Sequence, residues 1–133
     1  MLDKITQITV GEKKYPMAFT LNVMEVIQEK YGSLDTWSDA LQPDKVEDAE
    51  GILVETEPKL KDLIWTFQQF LNEGIEIENE EKSEKRELLT HKQVGRIITT
   101  VGLSESGSLI RALTMSESSG DEKNTTATQT LNQ

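Results

Sequence analysis

The period of the hydrophobic pattern changes at Thr20, and that change constrains the fold more than any other feature of the chain. Before it, Ile5, Ile8 and Val10 stand among Thr6, Gln7 and Thr9, as in a strand with one wet face. Gly11 and polar Glu12-Lys13-Lys14 fit a hairpin tip. Tyr15, Met17 and Phe19 alternate with Pro16, Ala18 and Thr20, so they share one face of a returning strand. Pro16 has no amide to donate to a ladder and marks that strand as an edge at its start. After Thr20 the spacing turns helical. Leu21, Met24, Ile27 and Tyr31 fall on one stripe, with Val23 beside it. Asn22 and Glu25 have capping-box spacing, with Thr20 as a competing cap. Gly32 suits a helix stop and Ser33 a fresh N-cap, before a second short stripe of Leu34, Trp37 and Leu41.

The rest of the chain reads as helices that cover this unit. Pro43 breaks the second helix, and residues 42–57 are acidic and weakly patterned. Lys45 to Glu50 can form a helical turn; Ile52, Leu53 and Val54 fit either a short strand or a loop anchor. Pro58 suits the first turn of the strongest helix, which carries Leu60, Leu63, Ile64, Phe67 and Leu71 on one stripe. Trp65 and Phe70 lie off that stripe, so either the helix is buried on two sides or these aromatics meet a partner. Asn72 and Gly74 are expected to end it. Glu76 to Glu87 is a charge run with Ile77 as its only apolar residue, and reads as a solvated helix or a loop. Thr90 and Gln93 form a second capping box ahead of Val94, Ile97, Ile98 and Val101, and Gly102 is the expected stop. Leu109, Ile110 and Leu113 suggest a last short helix.

The expected fold is α+β and mostly helical: an N-terminal β-hairpin packed with about four to five helices, in one domain spanning 1–115. From Ser116 the composition is polar apart from one leucine, so 116–133 is expected to be a disordered tail. A net charge of −10 argues against nucleic-acid binding, because no basic stripe exists to release counterions. Without cysteine there is no disulfide or thiolate zinc site. No apolar run approaches a membrane span and no signal sequence opens the chain, so the expected location is the cytoplasm.

A search for chemistry finds none. His91 is the only histidine and stands at a helix start without a base, nucleophile or metal partner in the pattern. No phosphate-binding, dinucleotide, zinc-protease or calcium-loop spacing occurs. Gly102-Leu103-Ser104-Glu105-Ser106-Gly107 lacks the strand and the spacing of a nucleophile elbow. The expectation is a protein that is not an enzyme and takes no cofactor or metal.

Three segments carry a family resemblance: ITVGEKKYPMAFTL leading into a helix that ends EKYGSLDTW, then LIWTFQQFLNEGIEIENEE, then a charged spacer before LLTHKQVGRIITTVG. In this order the chain, from Ile5 to Leu113, resembles the small tail assembly chaperones of tailed bacteriophages and prophages of Gram-positive bacteria. The resemblance implies a non-enzymatic factor in the host cytoplasm. It would bind the tape-measure protein while the tail tube forms and would be absent from the mature virion. It implies the tail tube protein as a further partner, together with a longer form of the chain made by ribosomal frameshifting. Glu122-Lys123-Asn124 can be encoded by a slippery run in the right phase. No binding residue carries over from the family. The candidates are the off-stripe aromatics Trp65 and Phe70, with Trp37 as a third. Two other readings stay open: a structural tail or connector (tail-completion) protein, and a small regulator that binds a protein. Self-association is compatible with the edge strands, without a stoichiometry.

Overall fold

The computed structural model describes residues 5–43, 45–55 and 59–123, the last eight of these by backbone alone. The expected hairpin is present. β1 (Ile5–Val10) pairs antiparallel with β2 (Lys13–Ala18), in a register that sets Ile8 opposite Tyr15 and Gln7 opposite Pro16. A sheet of two strands has only edges, which is why Pro16 is tolerated. The alternation does not leave β2 with a wet face, however. Pro16, Met17 and Ala18 are all buried, because a long helix lies against the strand.

The caps fall largely where the sequence places them. Thr20 caps α1 (Leu21–Tyr31), its hydroxyl accepting from the Val23 amide, and wins over the Asn22 alternative. Its own proton goes to Glu73, 2.6 Å away, which ties the start of α1 to the long helix. Gly32, at φ 89°, ends α1 in a conformation that side-chain-bearing residues rarely adopt. Ser33 accepts from the Thr36 amide and starts α2 (Leu34–Leu41). Val23 and Ile27 form the buried stripe of α1, while Leu21, expected inside, is exposed at the helix's first position.

Helix α3 (Leu60–Glu81) is the centre of the molecule, and it contacts β2, α1, α2, α4 (His91–Val101) and α5 (Leu103–Lys123). It does not end at Asn72 or Gly74. It continues to Glu81 and buries Ile75 and Ile77 on the way. Gly74 serves close approach instead of termination. A Cβ there would lie 2.5 Å from the Pro16 carbonyl carbon and oxygen and 2.9 Å from the Met17 nitrogen. Only glycine lets the two backbones meet. Asn72, read as a helix end, is a clamp. Its amide donates to the Leu89 carbonyl at 3.1 Å, and its carbonyl accepts from the Leu89 amide at 2.8 Å. That pairing holds the connection into α4. Pro58 lies outside the described residues.

Phe67, Phe70, Leu71 and Ile75 are fully buried along α3, each contributing roughly 1.5–3 kcal/mol of hydrophobic stabilisation. Val94, Ile97 and Ile98 of α4 and Ile110 of α5 complete the core. The capping box opens α4 as its spacing predicts, with both reciprocal bonds formed between Thr90 and Gln93. Helix α5 is longer than expected at both ends. Its backbone runs past Ser116 to Lys123, inside the segment whose composition reads as the tail. Residues 124–133, the rest of the expected tail, lie outside the described residues.

Residues 45–55 form a second hairpin. β3 (Lys45–Glu47) pairs with β4 (Leu53–Glu55), so the strand reading of the apolar run prevails over the loop anchor, and the helical turn expected from Lys45 is replaced by a strand. Asp48 builds the turn by accepting from the Glu50 and Ile52 amides, each at 2.9 Å.

Candidate partner-binding surface

Of the three aromatics that stood as contact candidates, the structure leaves one at the surface. Phe70 is fully buried, tilted against Phe19 with ring centroids 5.2 Å apart. Trp37 is 5% exposed and stacks on Phe19, and its indole N–H donates to the Thr66 hydroxyl at 2.9 Å. Both are core residues, and their assignment to a partner surface is corrected. The physical reason is that α3 is buried on two sides, with β2 and α2 covering the flank that carries Thr66 and Phe70.

Trp65 is half-buried where the end of α1 meets α3. Its ring packs edge-on to Tyr31, with centroids 5.6 Å apart and planes at 73°. Lys30 Nζ sits over both rings, 5.3 Å from the Trp65 centroid and 5.6 Å from that of Tyr31. The Tyr31 hydroxyl donates to the Asp62 carboxylate. These four side chains make a small mixed surface with an apolar body and a charged border. Contacts of this kind, edge-on aromatic pairs and a cation over a ring, each contribute on the order of 1 kcal/mol.

Burial holds the Tyr31 phenol well above its ordinary range, and the hydrogen bond to Asp62 and the carboxylate's charge push the same way. Ionisation is therefore harder in the folded chain than in the unfolded one. The resulting stabilisation is complete below the ordinary tyrosine range and is lost as pH rises through it. Tyr31→Phe is expected to remove that part of the alkaline loss. Melting temperature followed across about pH 9 to 11 checks this, the wild type falling more steeply than the variant.

Two further features were not legible as surfaces. A groove of about 380 Å³ opens between the start of α3, the end of α4 and the start of α5, lined by Leu60, Leu63, Ile64, Gly95, Ile98 and Leu103 among others. In the sequence Leu60, Leu63, Ile64 and Ile98 read as core stripe. The signal that was available is Gly95 inside a clean helical stripe, because a missing side chain there leaves the groove open. The second feature is the 45–55 hairpin, whose apolar side chains remain exposed. His91 is exposed at the start of α4. Among the described residues, no group of three or more His, Asp or Glu side chains is placed to hold a metal. None of the described helices is long and apolar enough to cross a membrane.

Comparison with known proteins adds no relative: no family model, curated protein or solved structure matches the chain.

Proposed function

We propose that this chain is a tail assembly chaperone of a tailed bacteriophage or prophage, a non-enzymatic protein that covers the tape-measure protein until the tail tube replaces it. The observation that carries the reading is the order of elements. Apart from the second hairpin between α2 and α3, a tight hairpin runs into a capped helix that stops at Gly32, followed by a short helix, a long helix, a charged connection and a capped helix. That is the order in the segments that carry the family resemblance. The physics is consistent with the role. A long helical protein exposes apolar seams that aggregate unless covered. A small acidic protein with an aromatic surface and an apolar groove can cover them by helix-in-groove docking. The affinity is moderate, because the tube must displace it.

The gene supplies a direct test. The codons for Glu122-Lys123-Asn124 are expected to contain a slippery run, followed by an overlapping frame and then by a very long frame of helical sequence. An interrupted run with no such neighbour would remove the frameshift and leave the tape measure without support as the partner. The Trp65 surface has its own test. Trp65→Ala is expected to keep the wild-type helical signal and to reduce co-purification with the protein of that long frame by about tenfold, as loss of roughly 1.4 kcal/mol requires. Unchanged recovery would place the contact elsewhere.

A further inference from the structure

A second groove, of about 290 Å³, lies along the seam between α1 and α3. Helix α1 supplies Val23 and Val26, α3 supplies Gln69, Glu73 and Glu76, and the connection into α4 adds Leu88. The two helices run antiparallel there. Thr20, at the start of α1, donates to Glu73, and Tyr31, at its end, donates to Asp62. Trp65, Gln69, Glu73 and Glu76 stand at i, i+4, i+8 and i+11, so they share one face of α3. From Trp65 to Glu76 that face runs about 16 Å, or about three helical turns.

The groove leaves both apolar and charged groups uncovered. Val26 and Leu88 are 37% and 47% exposed. Glu73 is anchored through one carboxylate oxygen, which accepts from Thr20 at 2.6 Å and from Asn22 at 3.4 Å. Its other oxygen and the whole Glu76 carboxylate find no partner among the described residues. Among those residues no lysine or arginine lines the groove. The cations of the neighbouring connection are engaged elsewhere, Lys82 with Glu78 at 3.4 Å and Arg86 with the Lys14 carbonyl at 2.8 Å.

We infer that this seam docks a basic amphipathic helix of about three turns from a partner protein. The helix packs an aliphatic stripe on Val26 and Leu88, and a lysine or arginine beside that stripe pairs with Glu73 and Glu76. Both walls of the groove are helices, so they offer side chains and no strand edge. A helical ligand satisfies its own backbone there, whereas an extended one does not. A second copy of the chain does not supply the ligand. Among the described helices only α4 carries basic residues without acidic ones, and its Val94, Ile97 and Ile98 are buried in its own core. The inference deepens the proposed role and rests on it only for the source of the helix: the segments of the tape measure that dock here are its basic amphipathic ones.

The probe is a synthetic peptide of about 20 residues, long enough to be helical, with leucines on one stripe and lysine and arginine beside it. Its twin carries glutamate at every basic position. Fluorescence anisotropy with the full chain is expected to show the basic peptide binding at least about tenfold tighter than the twin, and less tightly as salt is added. Glu73→Gln with Glu76→Gln, which keeps an acceptor for Thr20, is expected to weaken binding at least about tenfold. Val26→Ser with Leu88→Ser is expected to do the same. Glu47→Gln with Glu50→Gln removes as much charge from the 45–55 hairpin and is expected to change affinity by less than about twofold. All three variants are expected to keep the wild-type helical signal, the glutamine pair in the groove with the least risk to folding. An equal loss in the hairpin variant, or binding unmoved by the groove variants, overturns the inference, since attraction to net charge alone behaves that way. A basic peptide that does not bind also overturns it, and leaves the proposed role to the Trp65→Ala co-purification. A groove that binds the peptide in a chain that does not capture the long protein supports the inference and removes the role.

Discussion

Gly74→Ala is expected to destabilise the protein by about 3 kcal/mol or more, although alanine is the better helix former. Propensity alone would favour alanine by roughly 1 kcal/mol in a helix interior. Against it stands a methyl group placed 2.5 Å from the Pro16 carbonyl carbon and oxygen. Both partners are backbone, so neither can rotate away. Either α3 moves off β2, or the hairpin shifts and uncovers Met17 and Ala18. Gly95→Ala is the control. Its methyl would meet only the Ile64 Cδ1 atom, 3.7 Å away, an ordinary contact. There the propensity term stands nearly alone, and a gain of up to about 1 kcal/mol is expected. Urea unfolding of the two variants should move the midpoint in opposite directions with unchanged slope. Equal effects would mean that α3 does not press on the Pro16–Met17 peptide.

Phe70→Ala is expected to cost about 3–5 kcal/mol, the range for removing a buried aromatic ring. Phe70 has no exposed surface, and its ring meets both Phe19 and Trp37. The loss would therefore spread into the end of β2 and into α2. Trp65→Ala, at the half-buried cluster with Tyr31 and Lys30, should cost only about 1–2 kcal/mol. Chemical denaturation followed by far-ultraviolet circular dichroism separates the two. A small effect at Phe70 would mean that the ring is not part of the core after all.

The two aromatics show where reading the sequence stops. The local features were legible because their causes are local. The switch from alternation to helical spacing at Thr20, the caps at Ser33 and Thr90 and the stops at Gly32 and Gly102 depend on residues within a turn of one another. Gly74 was not legible. A glycine after an apolar stripe looks like a helix end, and its actual partner, Pro16, is distant in sequence. Asn72 misleads in the same way, because its amide completes the backbone of Leu89 in another segment. Off-stripe aromatics allow either a second buried flank or a surface, and only the packing of β2 and α2 against α3 decides between them. The 45–55 hairpin escaped because its strands are three residues long, too short to show a period. At the candidate surface, Trp65 was found from its position off the stripe. The groove was hidden because its lining residues also serve the core.

Co-expression tests the proposed role most directly. The long helical protein expected beside this gene would be produced with and without the chain, and its soluble fraction measured. The long protein is expected to precipitate alone, to stay soluble with the chain and to co-purify with it, and finished particles are expected to lack the chain. Equal precipitation in both cases, or the chain recovered in stoichiometric amount from purified particles, would contradict it.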